Sequence, residues 1–198
     1  MKFLKPLSFF VVISLCFLNT QCDEDDDFPN QITIQNNTSV KIQDNQNTYS
    51  VGDEIIIETN ISLNQTTSSG ETISLSDYDY SEPESAYRYY ITLYKLNEFG
   101  SISMIPLMES NITPLEGNTT IVNGSLFVEA FFNGESYTNT VSITLAETGT
   151  FYLAGLRFLQ NNDGQLDIDG GVSEFAFVNI NSTIVNANSE GGFEFFVN

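Results

Sequence analysis

The chain has 198 residues, with 26 Asp and Glu against 6 Lys and Arg, and neither His nor Trp. A net charge of −20 without any cluster of cations excludes nucleic-acid phosphate as a partner. With no His and only two Cys, His- or Cys-based zinc sites are excluded, as are Ser-His-Asp and Cys-His catalysis, so any metal would be a hard cation held by oxygen, calcium first.

Lys2 and Lys5 open the chain, and an apolar run follows over 7–18. A helix of that length spans about 18 Å against roughly 30 Å of bilayer hydrocarbon, too short to cross and suited to a secretory leader. It has no polar face, unlike a helix packed on a core. Cys22 then opens the run Cys22-Asp23-Glu24-Asp25-Asp26-Asp27.

This junction resembles that of the bacterial lipoproteins, and more narrowly the surface lipoproteins of the Bacteroidota. The resemblance implies cleavage before Cys22, a diacylglycerol on its sulfur and a further acyl chain such as palmitate on the new amine. It also implies that the acidic run is an export tag to the outer face of the outer membrane, with the periplasmic face as the alternative. The chain then divides into a signal peptide at 1–21, an acidic tether at 22–31 and one folded domain at 32–198. Each buried methylene of an anchor contributes about 0.8 kcal/mol, so two or three acyl chains hold the protein essentially permanently. The carboxylates repel one another within a Debye length of about 8 Å and keep the tether extended, reaching roughly 33–36 Å. After cleavage Lys41, Arg88, Lys95 and Arg157 are the only cations.

The body alternates apolar and polar residues over short runs. Strands are expected at 32–34, 40–42, 55–61, 72–75, 87–96, 102–105, 126–132, 140–145, 151–159, 175–180 and 193–197, because β-branched and aromatic residues fill these runs and Gly, Asn, Asp and Ser bound them. No window carries a sustained 3.6-residue stripe. The spacing points to an all-β fold, an antiparallel β-sandwich. The segment Tyr49-Ser50-Val51-Gly52-Asp53-Glu54-Ile55 resembles a turn that leads into a strand in many extracellular Ig-like domains, so the sandwich is expected to be Ig-like, with Gly52 supplying the turn conformation. The stretch 64–83, polar and rich in Ser and Thr, resists assignment. Asn-x-Ser/Thr triplets, as at Asn60 and Asn181, read as chance matches in an Asn- and Thr-rich chain.

Three candidate sites stand out. The run 161–171 places Asp163, Asp167 and Asp169 in one tight loop between strands, where oxygen ligands around a glycine suit calcium; the same residues also suit a plain hairpin turn. Tyr87 and Tyr89 lead an aromatic cluster that would stack on sugar rings or a peptide, or would simply pack half-buried on a strand. A glycosidase would need two carboxyls about 5 to 9.5 Å apart in a cleft, and in a chain this acidic such pairs arise by chance. The expected role is therefore non-catalytic: an interaction or accessory module on a lipid anchor, with no enzyme activity and an unidentified surface partner. The alternative is the glycan-binding component of an outer-membrane polysaccharide-uptake system.

Overall fold

Period-two alternation puts successive side chains on opposite faces of a strand, and here it yields strands almost everywhere. The structure is a computed structural model that describes residues 30–78, 86–161, 163–170 and 176–198. Among the described residues the chain forms β1 (Asn30–Gln35), β2 (Val40–Ile42), β3 (Thr48–Tyr49), β4 (Glu54–Ser62), β5 (Asn64–Thr66), β6 (Thr72–Ser74), β7 (Ala86–Leu96) and β8 (Ile102–Ile105). There follow β9 (Ile112–Glu116), β10 (Asn118–Val122), β11 (Ser125–Phe132), β12 (Ser136–Thr144), β13 (Gly149–Ala154), a short helix α1 (Phe158–Asn161), β14 (Leu166–Gly170), β15 (Ala176–Ser182) and β16 (Phe193–Val197).

The result is an all-β sandwich. One layer runs β1-β15-β14-β7-β11, with β10 paired to β11; the facing layer has β12 between β9 and β4, and β2 beyond β4. The layers join at the β11–β12 hairpin, where only Phe131 with Thr138 and Phe132 with Tyr137 are paired. The second half of β7 pairs with β13 and β8; β13 pairs in turn with β16, and β16 with β3. Among the described residues the strands pair antiparallel except where β1 meets β15 and β16 meets β3, and a single parallel bridge joins Val40 to Ile184.

Inner faces meet across the sandwich. The Tyr89 hydroxyl on β7 and the Thr59 hydroxyl on β4 share a hydrogen bond of 2.5 Å, and the Tyr87 ring stands edge-on to Tyr137 with centroids 4.7 Å apart. Ile55, Ile57 and Ile61 of β4, Val128 and Ala130 of β11, and Ile168 and Ile180 of β14 and β15 fill the space between. Each such fully buried large side chain contributes roughly 1.5–3 kcal/mol. The Gly52 turn forms as expected: its φ is 94°, its N–H donates to the Leu145 carbonyl at 2.8 Å, and the Ser50 N–H donates to Asp53 Oδ2 at 2.7 Å.

Several expectations are corrected. The strand expected at 151–159 stops at Ala154, because Gly155 runs against the Gln165 backbone, where a Cβ would lie 1.9 Å from the carbonyl oxygen. The loop expected at 161–171 contains β14, whose Leu166 and Ile168 are buried while Asp167 and Asp169 point outward. The unassigned stretch holds the β5–β6 hairpin and a 3-10 turn at Leu75–Tyr78; residues 79–83 lie outside the described residues. Cys22, the signal segment and most of the tether also lie outside them, and β1 already takes in Asn30 and Gln31. No helix among the described residues is long and apolar enough to cross a membrane.

Candidate binding face

The register of the first layer lines up outward side chains that come from distant parts of the chain. Thr33, Asn179, Asp169, Arg88, Glu129 and Asn118 form one row across β1, β15, β14, β7, β11 and β10. A second row begins Gln35, Asn181, Asp167. Beside it Tyr90 and Phe127, opposite one another on β7 and β11, pack with ring centroids 4.9 Å apart.

The rows are tied by hydrogen bonds. Asn179 Nδ2 donates to Asp169 Oδ1 at 2.6 Å, Arg88 Nε donates to Glu129 Oε1 at 2.8 Å, and Asn118 Nδ2 donates to Glu129 Oε2 at 2.5 Å. The Arg88 guanidinium holds the Glu129 carboxyl below the usual carboxylate range, with burial opposing and Asn118 adding to the shift. Asp169 keeps solvent contact, but the atoms packed round it push its carboxyl up; the Asn179 hydrogen bond opposes this and the nearby Asp167 charge reinforces it.

A groove of about 490 Å³ lies over β1, β15 and β14. Its floor carries Thr33, Asp167, Asp169, Phe177, Asn179 and Asn181, and Arg157 and Gln165 close one side. Arg157 comes from the turn before α1 and is clamped between Asp163 at 3.1 Å and Asp167 at 3.2 Å. Gln165 Nε2 donates to Asp167 Oδ1 at 3.0 Å. The turn that carries Asp163 is itself fixed by a close backbone approach, since the Gly164 N–H donates to the Glu190 carbonyl at 2.7 Å. A Cβ on Gly164 would lie 2.4 Å from the Gly191 carbonyl carbon.

This geometry corrects both residue-level expectations. Asp163, Asp167 and Asp169 do not converge on a calcium position, because Arg157 holds the first two and Asp169 turns to Asn179. Among the described residues no group of three or more His, Cys, Asp or Glu is placed to hold a metal ion. Tyr87 and Tyr89 are each 1 % exposed, inside the core, and cannot stack on a ligand. Their parity on β7 is inward; Tyr90 and Tyr94 take the other face, where Phe158 covers Tyr94 and leaves Tyr90 partly exposed. Sequence reasoning missed Arg157, Phe177, Asn179 and Asn181, although the alternation Phe177-Val178-Asn179-Ile180-Asn181 already separates the outward set from the buried one.

The face can donate and accept hydrogen bonds over a surface wide enough for an extended ligand, with one apolar ring, Phe177, on its floor. All Lys and Arg among the described residues are in ion pairs: Lys41 with Glu58, Arg88 with Glu129, Lys95 with Glu147, and Arg157 with Asp163 and Asp167. No protein-family model matches the chain, and no curated protein matches it.

Proposed function

We propose that the protein is a non-catalytic binding module, anchored at the outer-membrane surface through lipid on Cys22, which takes a polyhydroxylated ligand of the glycan class in the β1-β15-β14 groove. The observation that carries this is the in-register ladder of amides and carboxylates on the groove floor. Sugar hydroxyls both donate and accept, so they need such a mixture; Asn179 and Asn181 offer both functions, Asp169 accepts and Arg157 donates. Phe177 adds an apolar ring for a sugar face.

A hydrolytic reading is weaker on the same geometry. It needs two free carboxyls flanking the bond to be cut. Here Asp167 is already engaged by Arg157 and Gln165, leaving Asp169 without a free partner in the groove.

The test is calorimetry against a panel of neutral oligosaccharides, with Asn179→Ala and Asn181→Ala beside the parent. Each variant is expected to weaken binding about tenfold, equal to about 1.4 kcal/mol. Binding unaffected by both changes, or no binding across the panel, would refute the groove. Mass spectrometry of the protein from its membrane tests the anchor separately: Cys22 is expected as the N-terminal, lipid-bearing residue, and a free thiol still joined to Gln21 would remove the surface address.

A further inference from the structure

Strand register gives the domain two ends. Asn30 pairs with Ala176, and Asp169 with Arg88, so the chain enters the domain near the Ala86 end of β7. The other end is marked by Leu96, which pairs with Thr150 and Ile102, and by Thr144, which pairs with Glu54. At about 3.3 Å per residue, Leu93 lies roughly 25 Å along the strand from the level of Asn30.

At that far end the two layers part around a recess of about 240 Å³. Buried Leu93, Leu107, Leu145 and Phe151 form its walls. Met108, 61 % exposed, stands at its mouth beside Ala146 and Glu147. A cavity of about 150 Å³ lined by aliphatic and aromatic side chains takes benzene, so this recess accommodates one bulky side chain. Its lining is mainly apolar, with Asn111, Thr144 and Glu147 as the polar side chains, and Glu147 is already paired with Lys95.

The same end displays Phe99 at the tip of the β7–β8 hairpin, 93 % exposed. Asn97 Oδ1 accepts the N–H groups of Phe99 and Ser101, each at 2.9 Å, which fixes the tip and holds the ring out. Asp53, Glu54, Glu98, Glu109 and Glu147 stand at this end too, against Lys95, whose ammonium is 2.7 Å from Glu147. An apolar recess bordered by carboxylates, with no free cation among the described residues, matches an apolar side chain carried on a basic segment. A second copy of this acidic chain, or an anionic lipid surface, would be repelled.

We infer that the end of the domain remote from the N-terminal tether is a protein-docking surface that captures one bulky apolar side chain of a cationic partner segment in the Leu93–Leu145–Phe151 recess. It stands on this recess and does not depend on the glycan groove.

The probe is a capped pentapeptide, Lys-Ala-Trp-Ala-Lys, added to the full chain in neutral phosphatidylcholine nanodiscs with empty nanodiscs as the blank. The chain has no Trp, so indole emission reports the peptide alone. A saturable blue shift is expected. Replacing the peptide's Trp by Ala should abolish competition, and replacing its Lys by Glu should weaken it at least tenfold. Met108→Glu and Ala146→Phe, both at exposed positions, should each weaken it about tenfold, whereas Asn179→Ala should leave it unchanged. The inference is overturned if the Ala peptide competes equally, if neither mouth variant changes affinity, or if no shift appears by about 1 mM peptide. Free indole binding as tightly as the peptide would overturn it in favour of a small-molecule cavity, and sedimentation showing self-association lost on Met108→Glu would do so in favour of a second copy.

Discussion

Asn139 sits where the two layers separate, and replacing it tests that joint. Its side chain is 0 % exposed. Nδ2 donates to the Asn118 carbonyl at 3.0 Å, the Glu129 carbonyl at 3.1 Å and Thr119 Oγ1 at 3.2 Å, so one amide on β12 bridges to β10 and β11 just after the hairpin pairing ends. Asn139→Leu keeps approximate shape but removes the donor, leaving buried carbonyls facing a methyl group. Each lost hydrogen bond costs about 1 kcal/mol, and a buried acceptor left unsatisfied about 1–3 kcal/mol. Gly117 is also close, since a Cβ there would lie 2.6 Å from Nδ2, so a wider side chain finds little room. The expected loss is about 2–4 kcal/mol. For a chain of this size that lowers the melting temperature by roughly 5–15 °C.

Thermal unfolding followed by circular dichroism measures it, and Asn139→Asp sharpens the test. An ionised carboxylate there would face carbonyl oxygens with nothing to donate, whereas the protonated acid still has a proton to give. The folded-state value therefore rises above the unfolded value of about 3.9. The penalty is absent below that unfolded value and grows as pH rises through it towards the folded one. The Asp variant should thus approach the parent in acid and fall well below it at neutral pH. A Leu variant melting within about 1 °C of the parent, or an Asp variant with no pH dependence of its own, would show that Asn139 does not hold the joint.

Other positions carry expectations of their own. Gly164→Ala should cost about 1–3 kcal/mol by urea unfolding, because the new methyl meets the Gly191 backbone rather than a movable side chain; Gly70→Ala, where nothing lies within 4 Å, separates packing from backbone strain, since its φ is 87°. Burial pushes the Tyr49 hydroxyl up to about 12 from 10.0, with the Asp53 charge adding to it, and raises Tyr89 further still. Unfolded tyrosines ionise first, so this contribution is complete below pH 10 and is lost as pH rises from there; tyrosinate absorbance should lag until the chain unfolds, and full titration near 10 with the fold intact would contradict it. Glu129, held low by Arg88, contributes stability above its ordinary value of 4.5 that disappears as pH falls below it. Arg88→Gln should remove that acid-limb contribution, a few tenths to about 1 kcal/mol because Arg88 is 41 % exposed, and unchanged urea midpoints across the acid range would rule it out.

Strands with strong β-branched and aromatic alternation were legible: β4, β7, β8 and β16 fall where the residues put them, within a residue at each end. The edge strand β9 was not, since Pro114 and exposed polar neighbours hide it, and proline is tolerated there because an edge has spare backbone groups. Nor was β14, where Asp and Gly composition suggested a turn although Leu166 and Ile168 alternate correctly. The tyrosine choice failed on parity: a shift of one position separates buried Tyr89 from outward Tyr90. The binding face was illegible for a deeper reason. Thr33, Asn179, Asp169 and Arg88 become neighbours only through pairings between distant segments, and nothing local in any of them records the others.

Only one of the two proposed surfaces should respond to salt, and that separates them without any mutation. All Lys and Arg among the described residues are tied in ion pairs, so the field beyond the domain comes from unpaired carboxylates. A neutral oligosaccharide in the groove carries no charge for that field to act on, and its affinity should hold steady as ionic strength rises. A cationic segment approaching the far recess is drawn in by the same field, which at 1 M salt reaches only about 3 Å. Its association rate should fall steeply with salt, while the burial of one apolar side chain, which salt does not screen, continues to set how slowly it leaves. Oligosaccharide binding that weakened in parallel with peptide binding would mean that both ligands answer to a single charged surface, and the division of the domain into an uncharged-ligand face and a cation-seeking end would fail.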